Sequence, residues 1–279
     1  VIGTEYGSMF AALGVAVTMV DARKRLLGFV DEELIDTFHY QMRSLGVRLR
    51  LGEEVESCST REDNQVVTVL KSGKVIISDC VLYSAGRVSA TADLGLQNIG
   101  ISADERGKLT VNENFQTTQP HVYAAGDVIG FPALASTSAR QGRLATCHAF
   151  GVSEPLMDVP LPYGIYAIPE ISFVGSNEDE LTKQGIPYET GIARYREIAR
   201  GQLLGDEHGM LKVLFHRKTE EILGVHIIGE YATELIHIGQ AVMALKGGLT
   251  YLRDAVFNYP TLAECYKVAA LDGYNKLRK

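Results

Sequence analysis

Cysteine is scarce and scattered in this chain. The 279 residues include only Cys58, Cys80, Cys147 and Cys265. No CxxC or CxxxxC pair and no zinc-ligand spacing occurs among them, which excludes a disulfide scaffold and a zinc module. Four reduced thiols in a cytoplasmic protein is the expectation. Positive charge is also short. There are 27 Lys and Arg against 34 Asp and Glu, for a net charge of −7. A nucleic acid or an anionic membrane surface is therefore not the expected partner. No apolar run reaches the ~18 residues of a membrane-spanning helix. No collagen-like repeat, low-complexity tract or secretory leader is visible. What is there is an ordinary globular composition, 46% hydrophobic and 22% charged. The length suits two domains or more. The first residues, Val1-Ile2-Gly3, read as the inside of a folded unit.

The opening alternates between helix and strand. Thr4 to Leu13 reads as a helix ended by Gly14, and Val15 to Val20 as a buried β-branched strand. Asp31 is a predicted N-cap, followed by Leu34, Ile35, Phe38, Met42 and Leu45 on one helical face. Gly46 ends that helix and Val47 to Leu51 forms a second strand. This rhythm belongs to a doubly wound parallel sheet. Then the pattern changes. Val66 to Leu70 and Val75 to Ile77 flank Ser72-Gly73, a hairpin signal. Cys80 to Ser84, Leu109 to Val111 and Val122 to Ala125 read as further strands, and Ser136 to Phe150 as an Ala-rich helix. Residues 151–162 hold three prolines and read as a linker. Beyond it, Leu211 to His216 and Ile222 to Ile228 form an antiparallel pair around Lys218-Thr219. Helices are predicted over Thr233 to Leu245 and Leu262 to Leu277. The expected fold class is an α/β part followed by an α+β part.

Three constellations carry chemistry. Gly3 opens a helix and Asp21 closes the next strand. A helix N-terminus attracts a phosphate, glycine lets the backbone approach it, and an acid after the strand accepts ribose hydroxyls. The same pattern also occurs as plain βα architecture. Arg23, Lys24 and Arg25 follow the acid. An acid alone favours NAD and a base favours NADP, so the two together admit either; a solvated basic turn reads equally well. Next, Val122 to Ala125 runs into Gly126-Asp127, setting a carboxylate at a strand end, where open α/β sheets bind ligands. Asp127 reads otherwise as a turn cap. Last comes Asn258-Tyr259-Pro260-Thr261, with Glu264 completing a Thr261-x-x-Glu264 capping box. His237, on an apolar helix face, reads as a packed core residue, and no metal site is expected.

Val1-Ile2-Gly3-Thr4-Glu5-Tyr6, Ala85-Gly86-Arg87, Tyr123-Ala124-Ala125-Gly126-Asp127 and Tyr259-Pro260-Thr261-Leu262-Ala263-Glu264 follow one another in a telling order. In this the chain resembles the two-dinucleotide flavoprotein reductases, the family of dihydrolipoamide dehydrogenase and glutathione reductase. The resemblance implies three parts. Residues 1–87 would be an NAD(P)-binding domain lacking its first strand. Residues 88–158 would be the C-terminal part of a FAD-binding domain, and 159–279 an interface domain forming a homodimer. Gly3 would be the last glycine of the dinucleotide fingerprint, and Glu5 would lie near the nicotinamide. Asp21 and Arg23 would face the adenosine ribose, and Gly86 would lie close to the cofactor. Asp127 would bind the ribityl chain of FAD, and backbone N–H groups near Ala135 would face the flavin ring. Ala90 departs from the Asn that many relatives carry. The start then reads as a cut through a phosphate-binding loop, and the chain alone is expected to show no flavin-dependent turnover.

One departure sorts the family's members. The disulfide reductases carry a His before the Pro and pair it with the following Glu, as a proton shuttle near neutral pH. Here the position is Tyr259, and a phenol with a pKa near 10 shuttles protons poorly at pH 7. Hydride exchange between nicotinamides through a flavin needs no such base. The stretches His121 to Leu134, Tyr163 to Val174, Leu211 to Gly229 and Phe257 to Ala270 are most similar to the branch that passes hydride between NADPH and NAD+. Tyr259 and Glu264 would then shape the flavin face from the partner subunit. Two other readings are kept. One is a dihydrolipoamide dehydrogenase-like disulfide reductase, which needs a redox cysteine pair outside these residues. The other is a non-catalytic dimerisation module.

Overall fold

A computed structural model describes residues 1–153 and 159–278. The middle of the expected linker, residues 154–158, lies outside the described residues. The chain divides into two compact units. One joins Val1–Tyr83 with Asp158–Lys279, and the other is Ser84–Met157.

The first unit opens with α1 (Ile2–Ala12), β1 (Thr18–Asp21), α2 (Glu32–Ser44) and β2 (Arg48–Leu51). Gly14, at φ +86°, turns the chain after α1. β1 and β2 pair in parallel, with Thr18 opposite Arg48 and Asp21 opposite Leu51. Asp31 caps α2 as expected, its carboxylate accepting from the Glu33 N–H at 3.1 Å. The next three strands, β3 (Val55–Thr60), β4 (Val66–Leu70) and β5 (Val75–Ser78), make an antiparallel sheet in sequence order.

The second unit holds α3 (Ala135–Ala149) and two short 3-10 turns, Leu96–Ile99 and Gly126–Ile129. The strands expected at 80–84, 109–111 and 122–125 do not form ladders. Val81, Leu82 and Tyr83 are exposed, and the other two segments make only the isolated bridges Ala103–Leu109 and Gln116–Tyr123. An apolar run becomes a strand only where a neighbour takes its N–H and C=O groups.

Back in the first unit, the chain continues through β6 (Tyr163–Ile165), β7 (Ile171–Gly175), α4 (Glu178–Gln184) and β8 (Tyr188–Arg194). It ends with α5 (Ala199–Leu204), β9 (Met210–His216), β10 (Ile222–Ile228), α6 (Ala232–Ala244), α7 (Leu249–Asp254) and α8 (Glu264–Leu277). The five strands order β6-β7-β10-β9-β8, and every pair is antiparallel. The α/β plus α+β fold class holds.

That sheet has two dry faces, because successive side chains alternate. Leu211, Val213, Phe215, Val225 and Ile227 pack under α6, α7 and α8. Met210 and Ile228 face the other way, joining Ile165 and Ile171 against Leu34, Ile35, Phe38 and Met42 of α2. Each such side chain contributes about 1.5–3 kcal/mol on full burial. Lys212 shares the α2 side and is 1% exposed. Its ammonium lies 3.0 Å from Asp31 and 3.3 Å from Glu33, and it hydrogen-bonds Glu178. Burial alone would push its pKa down; Glu178 and Asp31 outweigh that and raise it.

His237 departs from expectation. It is exposed, its Nδ1 2.9 Å from Gln240 Oε1, because its position on α6 points away from the sheet. The buried histidines are His39 and His226, and burial lowers both of their pKa values.

Two glycines set the depth at which α8 lies on β8. A Cβ on Gly191 would sit 2.0 Å from the Ala269 carbonyl oxygen, and one on Gly273 would sit 2.5 Å from the Phe215 ring. Gly191→Ala is therefore expected to lower stability in urea unfolding by roughly 1–3 kcal/mol. Gly28→Ala, which meets nothing within 4 Å, should stay within about 0.5 kcal/mol of the parent. Equal losses in the two variants would show that the close crossing is not what makes Gly191 necessary.

Candidate functional site

α1 meets β1 through Gly7, where a Cβ would come 3.1 Å from the Met19 sulfur. This close approach, which the sequence reading missed, seats the helix on the strand. Gly3 lies in the first turn of α1, whose N-terminus has no side-chain cap. The Thr4 and Glu5 N–H groups both donate to the Val1 carbonyl at 2.9 Å, which leaves the Ile2 and Gly3 N–H groups at the helix start to suit an anion. Glu5 does not hang free. Its Oε1 accepts from the Tyr166 N–H at 2.9 Å. Ser8 Oγ accepts from the Ile168 N–H at 2.9 Å and donates to the Glu5 carbonyl at 2.8 Å. These bonds tie α1 to the connection between β6 and β7.

At the end of β1, Asp21 is already engaged. Arg23 gives it a two-pronged contact, Nε at 2.9 Å and Nη2 at 2.7 Å, and the Arg23 backbone N–H donates at 2.8 Å. The Arg23 side-chain hydrogen bonds hold the Asp21 carboxyl below its usual range, against the opposing effect of burial. Arg25 turns elsewhere, to Glu32 and to Asp36 at 3.9 Å. Lys24 is exposed. The basic run thus splits into a side chain folded on the acid, an exposed one and a tether to α2.

In the second unit, Arg87 reaches Asp127 at 2.9 Å, and the Asp127 side chain is 45% exposed. Arg87, part of the Ala85-Gly86-Arg87 motif, was given no role from sequence. Asp127 sits in the 3-10 turn that begins at Gly126, a residue at φ +81° whose N–H donates to Gln141 of α3 at 2.7 Å. Gly86 is at φ +119°. Ala135 is the first residue of α3, whose N-terminus carries no side-chain cap. The Thr137 and Ser138 hydroxyls donate to the Leu134 carbonyl, both at 2.8 Å, and leave the first-turn N–H groups uncovered. A half-exposed carboxylate and an uncapped helix start fit the hydroxyls and polar ring edge of a flavin dinucleotide.

The last constellation is looser. Tyr259 is 73% exposed. Glu264 begins α8, and its buried Oε2 has no hydrogen-bond partner in this chain. The capping box does not form. Thr261 Oγ1 donates to the Asn258 carbonyl at 2.7 Å, and the helix starts late enough to put Glu264 at its first turn. Among the described residues, the carboxylates of Asp31, Glu33 and Glu178 cluster tightly, but the Lys212 ammonium lies among them.

A parallel two-strand unit with a glycine-led helix and a strand-end acid shares one compact unit with an antiparallel α+β half, an arrangement that suits dinucleotide binding. Residues 1–142 match the pyridine nucleotide-disulphide oxidoreductase family and residues 161–270 match its dimerisation domain. The chain belongs to the pyridine nucleotide-disulphide oxidoreductase family. It is 54% identical over 278 residues to the soluble pyridine nucleotide transhydrogenase of Mycobacterium bovis, covering 100% of this chain and 59% of the relative. It is 49% identical over 281 residues to that of Shigella flexneri, covering 99% of this chain and 60% of the relative. The chain thus spans about three fifths of the length of these relatives. Among solved structures, it is similar to the HOCl-induced flavoprotein disulfide reductase RclA from Escherichia coli, with a TM-score of 0.91 and 29% identity, covering 97% of this chain and 62% of that one. LpdA from Mycobacterium tuberculosis gives a TM-score of 0.87 and 28% identity, covering 97% and 59%. No helix among the described residues is long and apolar enough to cross a membrane.

The Asp21–Arg23 pair has a pH signature. A carboxyl lowered in the folded state contributes stability above its unfolded value of 3.8, and that contribution is lost as pH falls through the lowered value. A carboxyl NMR titration should place the Asp21 midpoint below 3.8, and Arg23→Ala should move it up. A midpoint indifferent to Arg23 would refute the pairing in solution.

Proposed function

We propose that this chain serves FAD-dependent hydride transfer between NADPH and NAD+, with a single nicotinamide site used by the two nucleotides in turn. The observation that carries this reading is Tyr259. It stands where the disulfide-reducing members carry their proton-shuttling His, and imidazole is the side chain suited to passing protons near neutral pH. The names of the transhydrogenase relatives support it. The proposed nucleotide-binding residues are Gly3, Glu5, Asp21, Arg23 and Gly86. Asp127 and the N–H groups at Ala135 would hold FAD, which when bound supplies the hydride-carrying chemistry. Tyr259 and Glu264 would shape the flavin face across a homodimer formed through residues 159–279.

The mixed chemistry beside β1 gives one site two modes. With NAD+ or NADH, the Asp21 carboxylate accepts the ribose hydroxyls. With NADPH, the Arg23 guanidinium turns to the 2′-phosphate, whose charge and geometry suit it better than a single carboxylate does. Arg23 is 66% exposed in its pair with Asp21. The Asp21 side chain is 20% exposed and the contact is two-pronged, so a phosphate must offer the guanidinium an equally good two-pronged partner to open it. Glu5 keeps α1 seated on the 166–168 segment while the nucleotide exchanges.

Steady-state kinetics on the protein carrying this chain test the reading. Parallel double-reciprocal lines are expected for NADPH and NAD+, since one product leaves before the second nucleotide enters. Intersecting lines would exclude the shared site. Arg23→Ala should raise KM for NADPH about tenfold, ~1.4 kcal/mol, with little change for NADH.

A further inference from the structure

We infer that Lys212 is a positioning residue for nucleotide binding, acting through Asp31 to hold the 22–31 loop that carries Arg23. The inference rests on the reading of Asp21 and Arg23 as the adenosine-ribose contacts. Lys212 belongs to β9, far from any nucleotide contact in sequence, and it is 1% exposed. Its ammonium donates to both oxygens of Asp31, at 3.0 and 3.1 Å. The same Asp31 carboxylate caps α2 by accepting from the Glu33 N–H. One carboxylate therefore ends the loop, starts the helix and anchors both to the five-stranded sheet.

The loop between Arg23 and Asp31 has little freedom of its own. Leu26, Leu27 and Val30 are buried in the core shared with Ile165, Ile171, Met210 and Ile228. Leu27 takes φ +49°, a conformation that a bulky residue adopts only under constraint. At the other end, the Gly52 N–H donates to the Arg23 carbonyl at 2.9 Å and the Glu53 N–H to the Asp21 carbonyl at 3.2 Å. The Arg23 turn is thus held by the two residues that follow β2 on one side and, on this proposal, by the Lys212–Asp31 pair on the other. Without the ammonium, Asp31 stays buried with Glu33 and Glu178 nearby and no cation among them. On this proposal the loop end shifts toward water, and the packed Leu26, Leu27 and Val30 pass that shift on to Arg23.

The test uses the protein that carries this chain, with NADPH and NADH as probes. Lys212→Met is expected to raise KM for NADPH about tenfold while kcat stays within about twofold, and Lys212→Arg should restore KM. Asp31→Asn keeps the α2 cap but removes the charge, so it should reproduce the KM rise even if Lys212→Met does not fold. A merely structural role predicts lower melting temperature with KM unchanged in the folded fraction, and that result overturns the inference. Arg23→Ala separates the two levels. If Arg23→Ala raises KM for NADPH while Lys212→Met and Asp31→Asn do not, the positioning role fails alone. If Arg23→Ala leaves KM unchanged, the underlying reading fails and the inference falls with it.

Discussion

A lysine buried on the face of a β-sheet constrains much of the first unit. Lys212 lies between Leu211 and Val213, which both face the helices α6 to α8. Strand alternation forces the lysine the other way, onto the side of α2. Taking an ammonium out of water is costly, and its carboxylate partners must converge closely to offset it. Asp31, Glu33 and Glu178 do so from α2 and α4. Losing one member of such a buried pair typically costs about 3–5 kcal/mol. Docked on the sheet, α2 has its cap residue over Lys212. The apolar contacts of Leu34, Ile35, Phe38 and Met42 supply the adhesion, and the charge supplies the address.

That docking reaches the chemistry through backbone connection. The loop ahead of α2 begins at the strand-end acid Asp21, so α2 and the Arg23 turn are the two ends of one segment buried through Leu26, Leu27 and Val30. On the other side of β1, Gly7 lets α1 close on Met19, while Glu5 and Ser8 bond the 166–168 segment. Helix, acid and guanidinium are thus all referred to one five-stranded sheet. The two-pronged Asp21–Arg23 pair rests on that base.

Much of the local structure was legible from residue order. Asp31 and the 3.6-residue spacing behind it marked α2. Ser72-Gly73 marked a hairpin, and the runs flanking Lys218-Thr219 marked β9 and β10. These signals depend on neighbours a few residues away. The strands expected at 80–84, 109–111 and 122–125 depended on pairing partners, and apolar content says nothing about whether a partner is present. The capping box at Thr261 failed for a related reason. The hydroxyl had a nearer carbonyl at Asn258, and the helix began later.

Among the candidate residues, the types and spacings of Gly3, Asp21, Asp127 and Tyr259 were readable, because glycine, strand-end acids and a missing histidine are visible one residue at a time. Sequence alone determined the order of the motifs, the two kinds of fold and the absence of a proton-shuttling imidazole beside Pro260. Only the tertiary structure decided that Arg23 closes on Asp21, that Arg87 meets Asp127, and that Lys212 holds Asp31 across 181 positions of chain. The physical reason is the range of the forces. Periodicity and capping act within a turn or two of backbone, whereas a buried charge finds its partner only after the chain has packed.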